Sequence, residues 1–147
     1  MKNIGLLLSS VTAFFIILGC LFYNSLLIDM KEIKDYVTES NLILEEVVKK
    51  EDKVDDKKGE YISRLLGIKN GMENANTSIL LNKYKDMKMS SIELLVEAVS
   101  ESNENDRKDL LNQIYYSNGE SQKELNTLMN KKFIEVTYLC IKSYISV

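Results

Sequence analysis

From Ile4 to Ile28 the chain reads IGLLLSSVTAFFIILGCLFYNSLLI, with no charged side chain in the run. As a helix this stretch would be about 37 Å long at 1.5 Å per residue, against a hydrocarbon core of about 30 Å. A core helix of a water-exposed domain carries a polar face. Here the polar residues are only Ser9, Ser10, Thr12, Asn24 and Ser25. Residues 1–29 are therefore expected to form a transmembrane helix or a signal segment.

Beyond Met30 the pattern changes to a stripe. Met30, Ile33, Val37, Ser40, Leu44, Val47 and Val54 recur at threes and fours, with a skipped turn at Glu51. That spacing lays one apolar face along a helix. The charged stretch KKEDKVDDKKGE, residues 49–60, predicts a turn, and its aspartates do not match a calcium-binding loop. A second helix is expected from Glu60 to about Glu101. Tyr61, Leu65, Ile68, Met72 and Ile79 form its first stripe, and Leu80, Tyr84, Met87, Ser91, Leu94 and Ala98 its second. The stripe shifts by one position near Leu80. The stretch SESNEND, residues 100–106, predicts the next turn. A third helix starts near Asp106 with Leu110, Leu111, Ile114 and Tyr115, with an interruption at Ser117-Asn118-Gly119 as one reading. Ser121 and Glu124 have capping-box spacing. Leu125, Leu128, Met129, Lys132, Phe133, Val136, Leu139 and Cys140 continue the apolar face, and the tail to Val147 is expected to end the last helix, docked on the bundle.

Ser63, Gly67, Gly71 and Ala75 recur every fourth residue. Such a row lets two helices approach closely, so the four are candidate helix-interface residues. Each glycine also costs helix stability, on the order of 1 kcal/mol in water, and Asn70-Gly71 is a turn signal. A packed interface and a local break both stay open at this point.

The fold class that follows is all-α: an N-terminal transmembrane or signal helix (residues 1–29), then an antiparallel bundle of three or four long helices (residues 30–147). The absence of proline among 147 residues agrees with long helices joined by short connections. The net charge of −3 is spread with both signs interleaved, and no basic stripe exists for a phosphate backbone, so nucleic acid is not expected as a partner. The charges just after the apolar run, Asp29, Lys31, Glu32, Lys34 and Asp35, sum to −1, while Lys2 and the amino terminus precede it. That asymmetry directs the body to the extracytoplasmic side.

The chemistry of the chain is sparse. It contains no histidine, which removes the commonest general base and metal ligand together. It has no Gly-rich phosphate loop and no nucleophile elbow. Glu45-Glu46 and Asp55-Asp56 are chain neighbours that point in different directions on a helix, so they form no acid–base couple. Cys140 has no histidine to activate it and falls on an apolar stripe, as a core thiol does. No catalytic residue, cofactor or metal is expected.

Cys20 is the one candidate for modification. Met1-Lys2-Asn3, an apolar stretch and Ile17-Leu18-Gly19-Cys20 together resemble a bacterial lipoprotein signal over the first twenty residues. The resemblance implies a lipid on the Cys20 thiol and a new N-terminus there. An uncleaved signal anchor, helical to Ile28, accounts instead for the apolar Leu21, Phe22 and Tyr23 that follow. Both alternatives tether the body to membrane lipid on the same side. The expected function is a non-enzymatic, membrane-tethered helical interaction protein of the bacterial cell envelope, binding another envelope protein or itself. One alternative is a small surface lipoprotein lipidated at Cys20, of phage or mobile-element origin. Another is a ligand-sensing module, since an anchor followed by long helices resembles the extracytoplasmic bundle of bacterial chemoreceptors. This chain lacks the second span and the signalling region of that family.

Overall fold

The computed structural model describes residues 2–49, 54–131, 135 and 138, and for residues 2–12 and Phe15 the backbone alone. The described residues are all-helical, with four helices packed against one another. They are α1 (Lys2–Lys49), α2 (Lys58–Asn74), α3 (Asn82–Ser100) and α4 (Glu104–Met129), with single 3-10 turns at Asp55–Lys57 and Ile79–Leu81. Cross-helix contacts fix an up-down-up-down course. Along α2, Tyr61 bonds Glu46 and Arg64 bonds Glu39, so α2 descends along α1. Lys69 pairs with Glu93 and Lys58 reaches the carbonyl of Ser100, so α3 runs back. Lys83 pairs with Glu124, and Ser91 with Ser117, so α4 descends again. Its end returns to α1, where the Tyr23 hydroxyl donates to the Lys131 carbonyl.

The stripes the spacing predicts build part of the core, but Ile79, Tyr115 and Met129 are exposed, and on α3 Ile92, Leu95 and Val99 are buried where the expected Met87 and Leu94 are only half-buried. Ile33, Leu44 and Val47 of α1, Tyr61, Leu65, Ile68 and Met72 of α2, Tyr84 and Ala98 of α3, and Leu111, Ile114 and Leu128 of α4 are all buried. On α1 the core reaches down to Phe22 and Leu26. At about 25 cal/mol per Å² of apolar surface, burial of each such large side chain stabilises by about 1.5–3 kcal/mol.

One long helix over 60–101 is not what forms. The chain leaves helix after Asn74 and re-enters at Ile79. Asn74, Asn76, Thr77 and Ser78 offer the backbone side-chain alternatives to helical bonding. A carboxylate from another helix then holds the break open: Asp29 on α1, only 5% exposed, accepts from both the backbone N–H and the hydroxyl of Ser78. The turn signal at Asn70-Gly71 lies inside α2. Likewise α4 passes through Ser117-Asn118-Gly119 unbroken, and Ser121 is no cap: it sits mid-helix, donating to the Asn118 carbonyl. The true cap of α4 is Asn103, whose Oδ1 accepts from the N–H groups of Asn105 and Asp106.

Among the described residues no helix is long and apolar enough to cross a membrane. The expected anchor falls in large part on residues 2–12 and Phe15, whose side chains lie outside the description. The stripe Lys132, Phe133, Val136, Leu139 and Cys140, and the tail beyond Leu139, also lie outside the described residues. Glu135 and Tyr138 are helical and exposed.

Candidate functional site

Two features of the bundle stand apart from an ordinary apolar core. The first is the lower half of α1. Phe14, Ile16, Ile17, Leu21, Leu27 and Ile28 are each 55–59% exposed, on a helix that also buries Phe22 and Leu26. Cys20 is exposed on this segment as a free thiol. Among the described side chains from Ala13 to Ile28, the exposed ones are mostly apolar, with Asn24 the polar exception, so this face is poorly matched to water.

The second feature is a polar layer in the middle of the bundle. Lys88 on α3 is 7% exposed, and Ser40, Ser91 and Ser121 are buried around the same level. Its ammonium donates to Asn118 Oδ1 on α4 at 2.8 Å and stands 5.7 Å from the centre of the Tyr84 ring, one turn earlier on α3. The Ser91 hydroxyl is 2.8 Å from that of Ser117 and bonds the Met87 carbonyl at 3.0 Å. No carboxylate among the described residues pairs with Lys88. Burial therefore pushes its ammonium below the ordinary lysine range, with no opposite charge to restore it. A cavity of about 10 Å³ opens beside it, lined by Ser40, Leu44, Lys88, Ser91, Ile114 and Asn118. That is room for roughly one water-sized sphere.

A second buried cation behaves differently. Arg107, in the first turns of α4, is 5% exposed. Its guanidinium donates to the carbonyls of Ala98 and Glu101 and pairs with Asp55 at 2.9 Å. It thereby caps the C-terminal end of α3, which carries no basic residue in its own last turn. Lys58 assists from α2, donating to the Ser100 carbonyl at 2.5 Å. In the same loop the Glu101 carboxylate accepts the N–H groups of Asn103 and Ser102, which hold its pKa below the usual range.

The four residues of the small row have four different surroundings. Ser63 is exposed. Gly67 is exposed too, and a Cβ there would meet nothing within 4 Å. At Gly71 a Cβ would lie 2.6 Å from Cζ and 2.9 Å from the hydroxyl of Tyr36, so the ring of Tyr36 from α1 lies directly on this glycine. Ala75 lies just past the end of α2, half-buried, with extended backbone. The close approach of helices is thus concentrated at Gly71, against α1.

Lys88 was not singled out by the sequence, although a signal exists. It falls four residues after Tyr84 and three before Ser91, inside the apolar stripe of α3, where a charge is out of place. Among the described residues no group of three or more acidic or sulfur side chains is arranged to hold a metal ion. No family model, no curated protein and no solved structure matches this chain.

Proposed function

We propose that this chain is a non-enzymatic interaction protein of the bacterial cell envelope, held to the membrane by the lower half of α1 with the bundle on the extracytoplasmic side. The observation that carries this reading is the outward set of Phe14, Ile16, Ile17, Leu21, Leu27 and Ile28 on a helix whose sequence has no charge between Ile4 and Ile28. A run of exposed apolar side chains along a helix is unfavourable in water and favourable in lipid. The backbone is helical without interruption from Lys2 through the bundle, so the same rod would serve as tether and as first helix of the body. The non-enzymatic part rests on the sequence, which has no histidine, no Gly-rich phosphate loop and no nucleophile elbow. Partner contacts would use the outer face of α4, where Tyr115 and Tyr116 stand exposed.

A lipid-anchored form has one observation in its favour. Cys20 is exposed, and among the described residues the core cluster begins at Phe22, so cleavage before Cys20 would leave those core side chains in place.

The test is alkaline carbonate extraction of membranes from expressing cells, followed by intact-mass analysis of the extracted chain. An anchor predicts retention in the membrane pellet at the unmodified mass. A lipoprotein predicts retention, with loss of the residues before Cys20 and gain of a diacylglyceryl mass that Cys20→Ser abolishes. Recovery of unmodified chain in the extract overturns both. External protease that leaves the bundle intact until the membrane is lysed overturns the orientation.

A further inference from the structure

We propose that the base of the bundle is itself a lipid-contact surface, with the α2–α3 connection at Ile79 and the last turn of α4 at Met129 seated in the headgroup layer of the bilayer. The proposal rests on the tether reading above and adds where the body stands relative to the membrane. Two bonds fix that position. Asp29, the first charged residue after the apolar run, accepts from the N–H and the hydroxyl of Ser78, which joins the α2–α3 connection to α1 at the end of that run. The Tyr23 hydroxyl donates to the Lys131 carbonyl at 3.4 Å, which joins the end of α4 to α1. Tyr23 precedes Asp29 by six residues, about 9 Å further down the helix at 1.5 Å per residue.

The depth follows from length. The apolar run is about 37 Å long and the hydrocarbon core about 30 Å thick, which leaves about 7 Å of the run for the headgroup layer. The stretch from Tyr23 to Ile28 fills that interval, and an amphipathic tyrosine suits it. Whatever is bonded to α1 at these levels meets the same layer. Ile79 is 57% exposed on the connection and Met129 40% exposed on α4, at the levels where Leu27 and Ile28 face outward from α1. The carbonyls of Glu73 and Ala75 at the end of α2 already have a donor in Lys85, so Ile79 is the exposed large apolar side chain that the connection offers. Charges near the base, Lys31, Glu32, Glu73 and Lys131, are of both signs, so the contact is apolar and requires no anionic lipid. The occupant is lipid and not a second copy, because α1 carries this level into the bilayer surface.

The test uses the full chain in phosphatidylcholine vesicles, with and without lipid brominated near the top of its acyl chains. The chain contains no tryptophan, so a single Trp reports from one position. Leu21→Trp reads the tether, Ile79→Trp and Met129→Trp read the base, and Tyr116→Trp reads the body. Tyr116 is 73% exposed and stands thirteen residues before Met129, about 20 Å from the base. Leu21→Trp, Ile79→Trp and Met129→Trp should lose emission to the brominated lipid and emit at shorter wavelength than Tyr116→Trp, which should emit as in water and keep its intensity. Quenching at Leu21→Trp without quenching at Ile79→Trp and Met129→Trp overturns the proposal and leaves the tether standing. Short-wavelength emission at the base that brominated lipid does not quench also overturns it, since a second protein chain then covers the surface. Absence of quenching at all three positions removes the tether and the seat together. Ile79 and Met129 are exposed, so neither change enters the core, and should one variant fail to fold the other decides.

Discussion

Arg107 and Lys88 are both cations buried in the α3–α4 pair, and their surroundings are opposite. Arg107 lies at the end of the bundle, where α3 stops and its last carbonyls lack partners within the helix. Its forked guanidinium meets two of these carbonyls and the Asp55 carboxylate together. Lys88 lies in mid-bundle, where each backbone group is already bonded along its own helix and only side chains can answer the charge. It finds one amide oxygen and one ring face. Helix ends are thus places where a buried cation is stabilising, because the peptide carbonyls there need donors. A helix middle offers a cation nothing except what the neighbouring side chains happen to supply.

The largest effect should come from breaking the well-answered cation. Arg107→Met keeps apolar bulk and removes all three hydrogen bonds. It leaves the carbonyls of Ala98 and Glu101 without their donor. Loss of buried polar partners of this kind costs about 2–4 kcal/mol. Urea titration should show a lower midpoint at unchanged slope. A midpoint within error of wild type would mean that water replaces the guanidinium without penalty and that the contrast with Lys88 is illusory.

Lys88→Met should act in the opposite direction. Removing a buried charge that has no carboxylate partner is neutral or stabilising, by about 1–2 kcal/mol. The pH dependence sharpens this. The folded-state pKa of Lys88 is depressed by burial, whereas the unfolded chain keeps the ordinary value of 10.5. Between those two values the unfolded state binds more protons, so the wild type gains stability as pH rises through that window. The advantage of Lys88→Met over wild type should therefore be full at neutral pH and shrink as pH approaches 10.5. Tyr84, whose hydroxyl is pushed above its ordinary range by burial, titrates in both variants and cancels in the difference. Melting curves of the two chains across that range check the sign. An advantage that grows with pH would mean that Lys88 is stabilised as a cation after all.

What the sequence discloses follows the same division between helix faces and helix ends. Stripes are a repeated signal, and Tyr61, Leu65, Ile68 and Met72 are legible because four residues at helical spacing say one thing. The break after Asn74 is hard to read because half of its cause is elsewhere: Asp29, nearly fifty residues earlier, receives the Ser78 N–H that a continued helix would use. Its local traces are the one-position shift of the stripe near Leu80 and the polar run Asn74, Asn76, Thr77 and Ser78. Gly71 illustrates the same point. Its spacing marks a small residue, but that Tyr36 covers it while Gly67 stays open depends on how α1 and α2 cross. Of the polar layer, Lys88 was available as a charge within an apolar stripe. Its lack of a carboxylate became visible only when all four helices were in place.

The smallest expected effect separates the two parts of Arg107's environment, and so states what Lys88 is missing. The guanidinium could be held mainly by the Asp55 charge or mainly by the carbonyls at the end of α3. Asp55 favours the second: its side chain is 72% exposed, so its charge is screened by water and salt. Exposed partners of ion pairs contribute about 0.2–1 kcal/mol, less as ionic strength rises. Asp55→Asn should therefore cost no more than about 0.5–1 kcal/mol at low salt, and its deficit should shrink further in 0.5 M salt, on the order of the screening expected for an exposed pair. In a double-mutant cycle, Arg107→Met should cost nearly as much in the Asp55→Asn background as in wild type. A coupling as large as the whole Arg107→Met penalty would instead make the carboxylate the essential partner, and Lys88 would then differ from Arg107 only by lacking an anion. A small coupling means that the carbonyls at the end of α3 compensate Arg107, and no mid-helix lysine can obtain such partners.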